Sequence, residues 1–172
     1  FCFFASVALV LSGLAFSEPG SLAVFAGFHA ARWPGRLERL LVGGTEVWLD
    51  GANNLEGGRA LARALDAQGI DGGVLVFGAL ADKPYGPLLD LLAPRFGARV
   101  YTEPGGRKPA PLDALAALHP GACEPEPAVA LQRALRLAGN GGRVLVTGSL
   151  YLVGTVRSLL LGRAPGDPAL GL

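Results

Sequence analysis

The sequence predicts an α/β fold, a mostly parallel sheet with helices on both faces, and three observations carry that expectation. Short continuous apolar runs such as Val74-Leu75-Val76-Phe77 lack the alternation of a half-solvated strand, as strands covered on both faces do. These runs alternate with amphipathic segments of helical period, the order that builds parallel sheets. Two of the strands end in small-residue turns carrying polar side chains, Val47-Trp48-Leu49-Asp50-Gly51-Ala52-Asn53-Asn54 and Val144-Leu145-Val146-Thr147-Gly148-Ser149-Leu150-Tyr151. Open α/β sheets bind ligands at the carboxyl ends of their strands, where helix N-terminal N–H groups converge.

The elements follow in order. Residues 1–16 are uncharged and almost wholly apolar, and read as a helix that ends at Ser17-Glu18-Pro19-Gly20. Residues 21–31 suit a short second helix, which Trp33-Pro34-Gly35 breaks. Leu37–Val42 and Glu46–Leu49 read as strands around a Gly43-Gly44 turn. Glu56–Gln68 is a helix with Leu61, Ala64 and Leu65 on one face, and Gly69 stops it. Val74–Phe77 is a strand, Tyr85–Leu92 a helix, Ala98–Tyr101 a strand and Pro111–Leu118 a helix. Ala122–Glu124 gives a weak strand signal. Pro127–Leu137 is a helix ended by Gly139-Asn140-Gly141-Gly142, and Arg143–Val146 is the last strong strand. Leu150–Leu161 is the last helix, with Val153, Val156 and Leu160 inward. The tail from Arg163, rich in Pro and Gly, is expected to fray.

A chain of 172 residues with 51% hydrophobic content can bury one sizeable core. The net charge is +1 and the 15 basic residues are dispersed, so no nucleic-acid footprint is present. Residues 1–16 lack a basic flank and fall short of the ~20 residues that span a bilayer, so no membrane anchor is expected. A targeting segment stays open for this run. The reading adopted is a helical tail of a preceding domain, since the chain has no methionine and starts at Phe1. The domain expectation is therefore 1–31 as that tail and 32–172 as the α/β domain. Cys2 and Cys123 lie in no metal-spaced or disulfide pattern, which fits a reducing cytoplasm, and His29 and His119 read as structural or surface histidines.

The chemistry is expected at the strand ends. No G-x-G-x-x-G follows a strand and no G-x-x-x-x-G-K-S/T occurs, so neither a self-sufficient dinucleotide or P-loop site nor a metal site is expected. Asp50 emerges at the sheet rim, suited to a ribose hydroxyl or a cation, or else to capping its own turn. Asn53 and Asn54 can donate and accept there, or fill the turn without a ligand. Ser149 precedes a helix and serves as its N-cap or faces an anion such as a carboxylate. Arg36 can clamp a phosphate bidentately or form an ion pair at the domain junction.

Several segments, in order, carry a resemblance. They are Trp33-Pro34-Gly35-Arg36-Leu37-Glu38, Leu49-Asp50-Gly51-Ala52-Asn53-Asn54, Val76-Phe77-Gly78-Ala79-Leu80-Ala81-Asp82-Lys83, then Thr102 and Arg107, and Val146-Thr147-Gly148-Ser149-Leu150-Tyr151-Leu152-Val153-Gly154. Over about residues 30–162 the chain resembles the C-terminal domain of the bifunctional folylpolyglutamate synthase and dihydrofolate synthase family, a branch of the Mur ligases. The resemblance implies a Rossmann-like sheet preceded by a helical remnant of a central ATPase domain. It implies a reaction in which ATP activates a carboxylate of dihydropteroate or a folate as an acyl phosphate, which the amine of L-glutamate attacks. ATP and magnesium would be held mainly by an N-terminal domain that this chain lacks, so the chain alone is expected to be inactive and to hold no catalytic residue. Arg36 and Asp50 would contact ATP, while Asn53, Ser149 and Tyr151 would lie on the glutamate side. A cytoplasmic monomer is implied for the full-length enzyme.

Two departures stand against the family pattern. D-G-A-H-N-P is here Asp50-Gly51-Ala52-Asn53-Asn54-Leu55, and D-K-D is Asp82-Lys83-Pro84. An amide at position 53 can hydrogen-bond but carries no proton charge near neutral pH. The alternatives are a non-catalytic, truncated or decayed α/β module and the C-terminal domain of a cell-wall Mur ligase.

Overall fold

The computed structural model describes residues 35–162, which lie within the second of the chain's two units, Trp33–Leu172. The two helices expected before Trp33 and the tail from Arg163 lie outside the described residues.

The elements are β1 (Glu38–Val42), β2 (Thr45–Leu49), α1 (Leu55–Ala67), β3 (Val74–Phe77), α2 (Tyr85–Leu92), β4 (Ala98–Tyr101), α3 (Leu112–Leu118), β5 (Ala122–Cys123), α4 (Pro127–Ala138), β6 (Arg143–Thr147) and α5 (Leu150–Leu161). The six strands form one sheet in the order β1-β2-β6-β3-β4-β5. Only the β1–β2 hairpin is antiparallel, with Glu38 opposite Leu49, and every other pairing is parallel. The weak signal at Ala122 is the edge strand β5, paired with β4.

The continuous apolar strands split their side chains between two cores because successive residues of a strand point to opposite faces. Trp48, Leu75, Phe77, Tyr101 and Leu145 face α1, α2 and α3. Val47, Leu49, Val74, Val76, Val100, Val144 and Val146 face α4 and α5. The helices thus cover both faces. Each fully buried Leu or Val contributes about 1.5–3 kcal/mol by leaving water, which is why β3, with all four residues buried, needs no polar alternation.

Several boundaries differ from expectation for local reasons. The Asn54 side chain accepts from Gly57 N at 2.8 Å, so α1 starts at Leu55 rather than Glu56. Its buried face is Gly58, Leu61, Ala62 and Leu65, with Ala62 in place of the expected Ala64. The helix turns this face toward α2, and an added Cβ at Gly58 would stand 2.3 Å from Leu88 Cδ1, so glycine lets the two helices approach. Pro111 is the N-cap of α3 rather than its first residue, and a single 3-10 turn at Ala93–Arg95 follows α2. On α5, Leu152 and Ser158 join Val153 and Val156 in burial, and Leu160 is only partly covered.

Candidate functional site

The parallel strands β2, β6, β3 and β4 all end at one edge of the sheet, followed there by Asp50, Gly148, Gly78 and Thr102. Because β1 runs antiparallel to β2, its amino end lies at the same edge, and the hairpin delivers Arg36 beside Asp50. After β6 the chain leaves toward α5 on one face; after its neighbours β2 and β3 it leaves toward α1 and α2 on the other. Adjacent strands that exit to opposite faces open a crevice at their carboxyl ends. The two strand-end turns named from sequence thus meet at one place.

Asp50 is the organising residue of this edge. Its Oδ2 accepts from Leu37 N at 2.9 Å and its Oδ1 from Ala52 N at 2.9 Å. The carboxylate therefore ties the turn before β1 to the turn after β2, the capping role that stood beside the ligand role. Burial pushes its pKa up, against the two backbone N–H groups and the nearby Arg36 guanidinium, which pull it down; the net direction is upward. Leu37, held by this bond, takes φ 45°, a left-handed conformation that costs a non-glycine residue about 1–2 kcal/mol. Arg36 is exposed between these anchors.

The turn after β2 is locked to the turn after β6. Ala52 O accepts from Gly148 N at 3.0 Å and from Thr147 Oγ1 at 3.4 Å, while Gly78 N bonds Thr147 O at 3.2 Å. Gly148 has φ 102°, and an added Cβ would meet Gly78 O at 2.7 Å and the Phe77 ring at 2.9 Å. Only glycine fits this junction. Ser149 is buried, and its Oγ accepts from Tyr151 N at 3.2 Å as the N-cap of α5. A hydroxyl that accepts still has its own proton to donate. Tyr151 is 48% exposed and its ring lies against Gly106 of the loop after β4. Asn53 is half-buried at the same rim, with its Oδ1 accepting a long 3.4 Å bond from Asn54 Nδ2.

Further along the edge, the loops after β3 and β4 are stitched together. Ala81 N bonds Lys108 O at 3.0 Å, Ala110 N bonds Ala79 O at 2.9 Å, and Leu80 bridges Pro109. Asp82 pairs with Arg107 at 2.7 Å, and these two with Ala81 and Lys108 line a cleft of about 310 Å³. Asp82 and Arg107 were not among the site residues expected from sequence. Neither was the Glu38–Arg157 pair, whose members stand in β1 and α5. No local spacing signals a contact between strand and helix so far apart in the chain. Among the described residues, no three His, Cys, Asp or Glu side chains gather as a metal site.

Comparison with known proteins shows the family of the chain. The model of the family described as "Mur ligase, glutamate ligase domain" matches residues 35–150. The folylpolyglutamate synthase of Lacticaseibacillus casei is 35% identical over 138 residues, covering 79% of this chain and 32% of the relative. The dihydrofolate synthase/folylpolyglutamate synthase of Bacillus subtilis is 30% identical over 142 residues, covering 80% of this chain and 33% of the relative. The chain thus spans about a third of the length of these relatives. Among solved structures, E. coli FolC in complex with DHPP and ADP superposes with a TM-score of 0.74 at 28% identity, over 92% of this chain and 38% of that one. The bifunctional folylpolyglutamate synthase/dihydrofolate synthase of Yersinia pestis, complexed with AMPPNP and Mn ion, gives a TM-score of 0.73 at 28% identity, over 91% and 38%.

Proposed function

The chain belongs to the Mur ligase family through its glutamate ligase domain, and from that premise we propose that it is the ATP- and glutamate-contacting lobe of a ligase that joins L-glutamate to dihydropteroate or a folate. The observation that carries this reading is the meeting of Arg36 and Asp50 with the Ser149 turn at one crevice of the sheet. In the reaction, a substrate carboxylate oxygen attacks the γ-phosphorus of ATP and expels ADP. The glutamate amine then attacks the acyl carbon of the resulting acyl phosphate, inorganic phosphate leaves, and the amine loses its extra proton.

Each residue at the edge has a part in this scheme. The Arg36 guanidinium offers paired N–H donors to phosphate oxygens, whose charge it stabilises. Asp50 orients Arg36 through the Leu37 amide; an ionised carboxylate has about four lone-pair sites, so those left over can accept from a ribose hydroxyl. Ser149 donates its hydroxyl proton to a glutamate carboxylate, with the Asn53 amide and the Tyr151 hydroxyl as neighbouring donors. Magnesium belongs, on this reading, to a part of the ligase outside residues 35–162, and the phosphate charge handled here falls to Arg36. A bound magnesium supplies charge neutralisation at the β- and γ-phosphates.

The test is a chimera in which residues 35–172 replace the matching segment of the Lacticaseibacillus casei relative. Glutamate-dependent ADP release is expected, and Arg36→Ala should lower kcat/KM by about tenfold to a hundredfold, the worth of one charge-assisted hydrogen bond. A folded chimera that binds ATP but turns over no glutamate would establish the non-catalytic module instead.

A further inference from the structure

Arg36 is flanked in the chain by two backbone N–H groups, and a carboxylate holds each of them. Leu37 N bonds Asp50 Oδ2, as described, and Gly35 N bonds Glu38 Oε2 at 3.0 Å. Gly35 O in turn accepts from Gly51 N at 2.8 Å. Glu38 is itself held from outside the hairpin. The Nε of Arg157, two turns along α5 from the Ser149 cap, lies 2.8 Å from Glu38 Oε2 and 3.1 Å from Oε1. The two side chains are 12% and 14% exposed, the most deeply covered ion pair among the described residues. Leu150, one heptad earlier on the same helix, packs its Cδ2 where a Cβ of Gly51 would stand. One stripe of α5 thus clasps the segment that carries Arg36.

This pair is not explained by stability alone. Taking two charges out of water costs more than a modest ion pair returns unless every donor is met, and apolar replacements of such pairs are commonly neutral or better. Here Arg157 Nη1 is buried with no hydrogen-bond partner among the described residues. A charge kept buried with an unmet donor calls for an account beyond its own ion-pair energy. What it holds is a turn whose Leu37 is in a left-handed conformation that the segment would leave if released.

We propose that Arg157 and Glu38 are positioning residues for Arg36, fixing the Gly35–Leu37 turn so that the guanidinium stands at the crevice on a helix-borne anchor. The same helix carries Ser149, so α5 sets the phosphate-side cation and the glutamate-side hydroxyl from one rigid element. The inference rests on Arg36 being the residue that faces ATP phosphate, and its structural half stands apart from that reading.

The structural half is read in the chain by amide hydrogen exchange. Arg157→Leu should speed exchange of the Gly35 and Gly51 amides at least tenfold while Val76 and Val146, in the sheet centre, keep parental rates. Parental rates at Gly35 and Gly51 overturn the proposal. If Arg157→Leu loses protection in the sheet as well, Glu38→Gln decides: it keeps the shape and removes the charge, and unchanged turn amides there overturn the proposal equally. The functional half is a double-mutant cycle in the chimera, scored on kcat/KM for ATP. A residue that acts through Arg36 adds nothing once Arg36 is gone, so Arg36→Ala with Arg157→Leu should be as impaired as Arg36→Ala alone, within threefold. Multiplicative losses overturn the positioning role. A silent Arg36→Ala beside accelerated turn exchange would instead remove the ATP assignment of Arg36 and leave the clasp standing.

Discussion

Asp50→Ala tests whether the carboxylate is the clamp of the crevice or only a group displayed at its rim. The substitution removes both backbone bonds, to Leu37 N and Ala52 N, each 2.9 Å long. A hydrogen bond to a charged acceptor is worth about 1.5–3 kcal/mol, giving a gross loss of about 3–6 kcal/mol. Part returns because the carboxylate is partly buried and its ionised form is disfavoured there, as its raised pKa direction says. A net loss of about 2–3 kcal/mol remains, since two N–H groups lose their partner. For a domain of this size that lowers Tm by about 6–12 °C. The assay is thermal unfolding followed by circular dichroism at pH 7. A melting point within 2 °C of the parent would refute the clamp.

The same residue gives a pH signature with a definite sign. With its folded pKa raised, Asp50 keeps its proton in the native state after the unfolded chain has released it at about pH 3.8, so the native state binds more protons and stability falls as pH rises through that window. Asp50→Asn removes the titration. The parent should therefore lose stability relative to Asp50→Asn as pH rises from about 3.8, other carboxylates cancelling in the difference. A difference that stays flat, or grows in the parent's favour, contradicts the direction assigned to Asp50.

Three further outcomes are expected. Gly148→Ala places a Cβ 2.7 Å from Gly78 O at φ 102°, against backbone that cannot yield, and should cost about 3 kcal/mol or more, seen as a Tm drop above 10 °C. Ser149→Ala loses the cap bond to Tyr151 N and should cost about 1 kcal/mol in urea unfolding without altering the m-value. Asn53→His should leave Tm unchanged, because only a 3.4 Å contact is lost; in the chimera it should raise glutamate turnover, most steeply between about pH 6 and 7, where an ordinary imidazole changes charge.

Much of this architecture could be read along the chain because its causes are local. Apolar runs bounded by Gly and Pro set the strands, and the helix starts at Leu55 and Leu150 follow from side chains one residue away, Asn54 and Ser149. The segments from Trp33 to Gly154 carried the family by their order and spacing. Even the grouping of site turns at one edge followed from strands alternating with helices.

What lay beyond the sequence depends on through-space pairing. The insertion of β6 between β2 and β3 makes Gly148 and Ala52 neighbours, yet they stand nearly a hundred residues apart, and periodicity carries no strand order. From its position alone Asp50 could be ligand group or clamp, and the clamp shows only once the fold brings the Leu37 amide within 2.9 Å of it. The Arg157–Glu38 pair is the clearest case. An arginine on an amphipathic helix reads as a solvated face until the hairpin edge closes over it and burial turns its charge into a constraint.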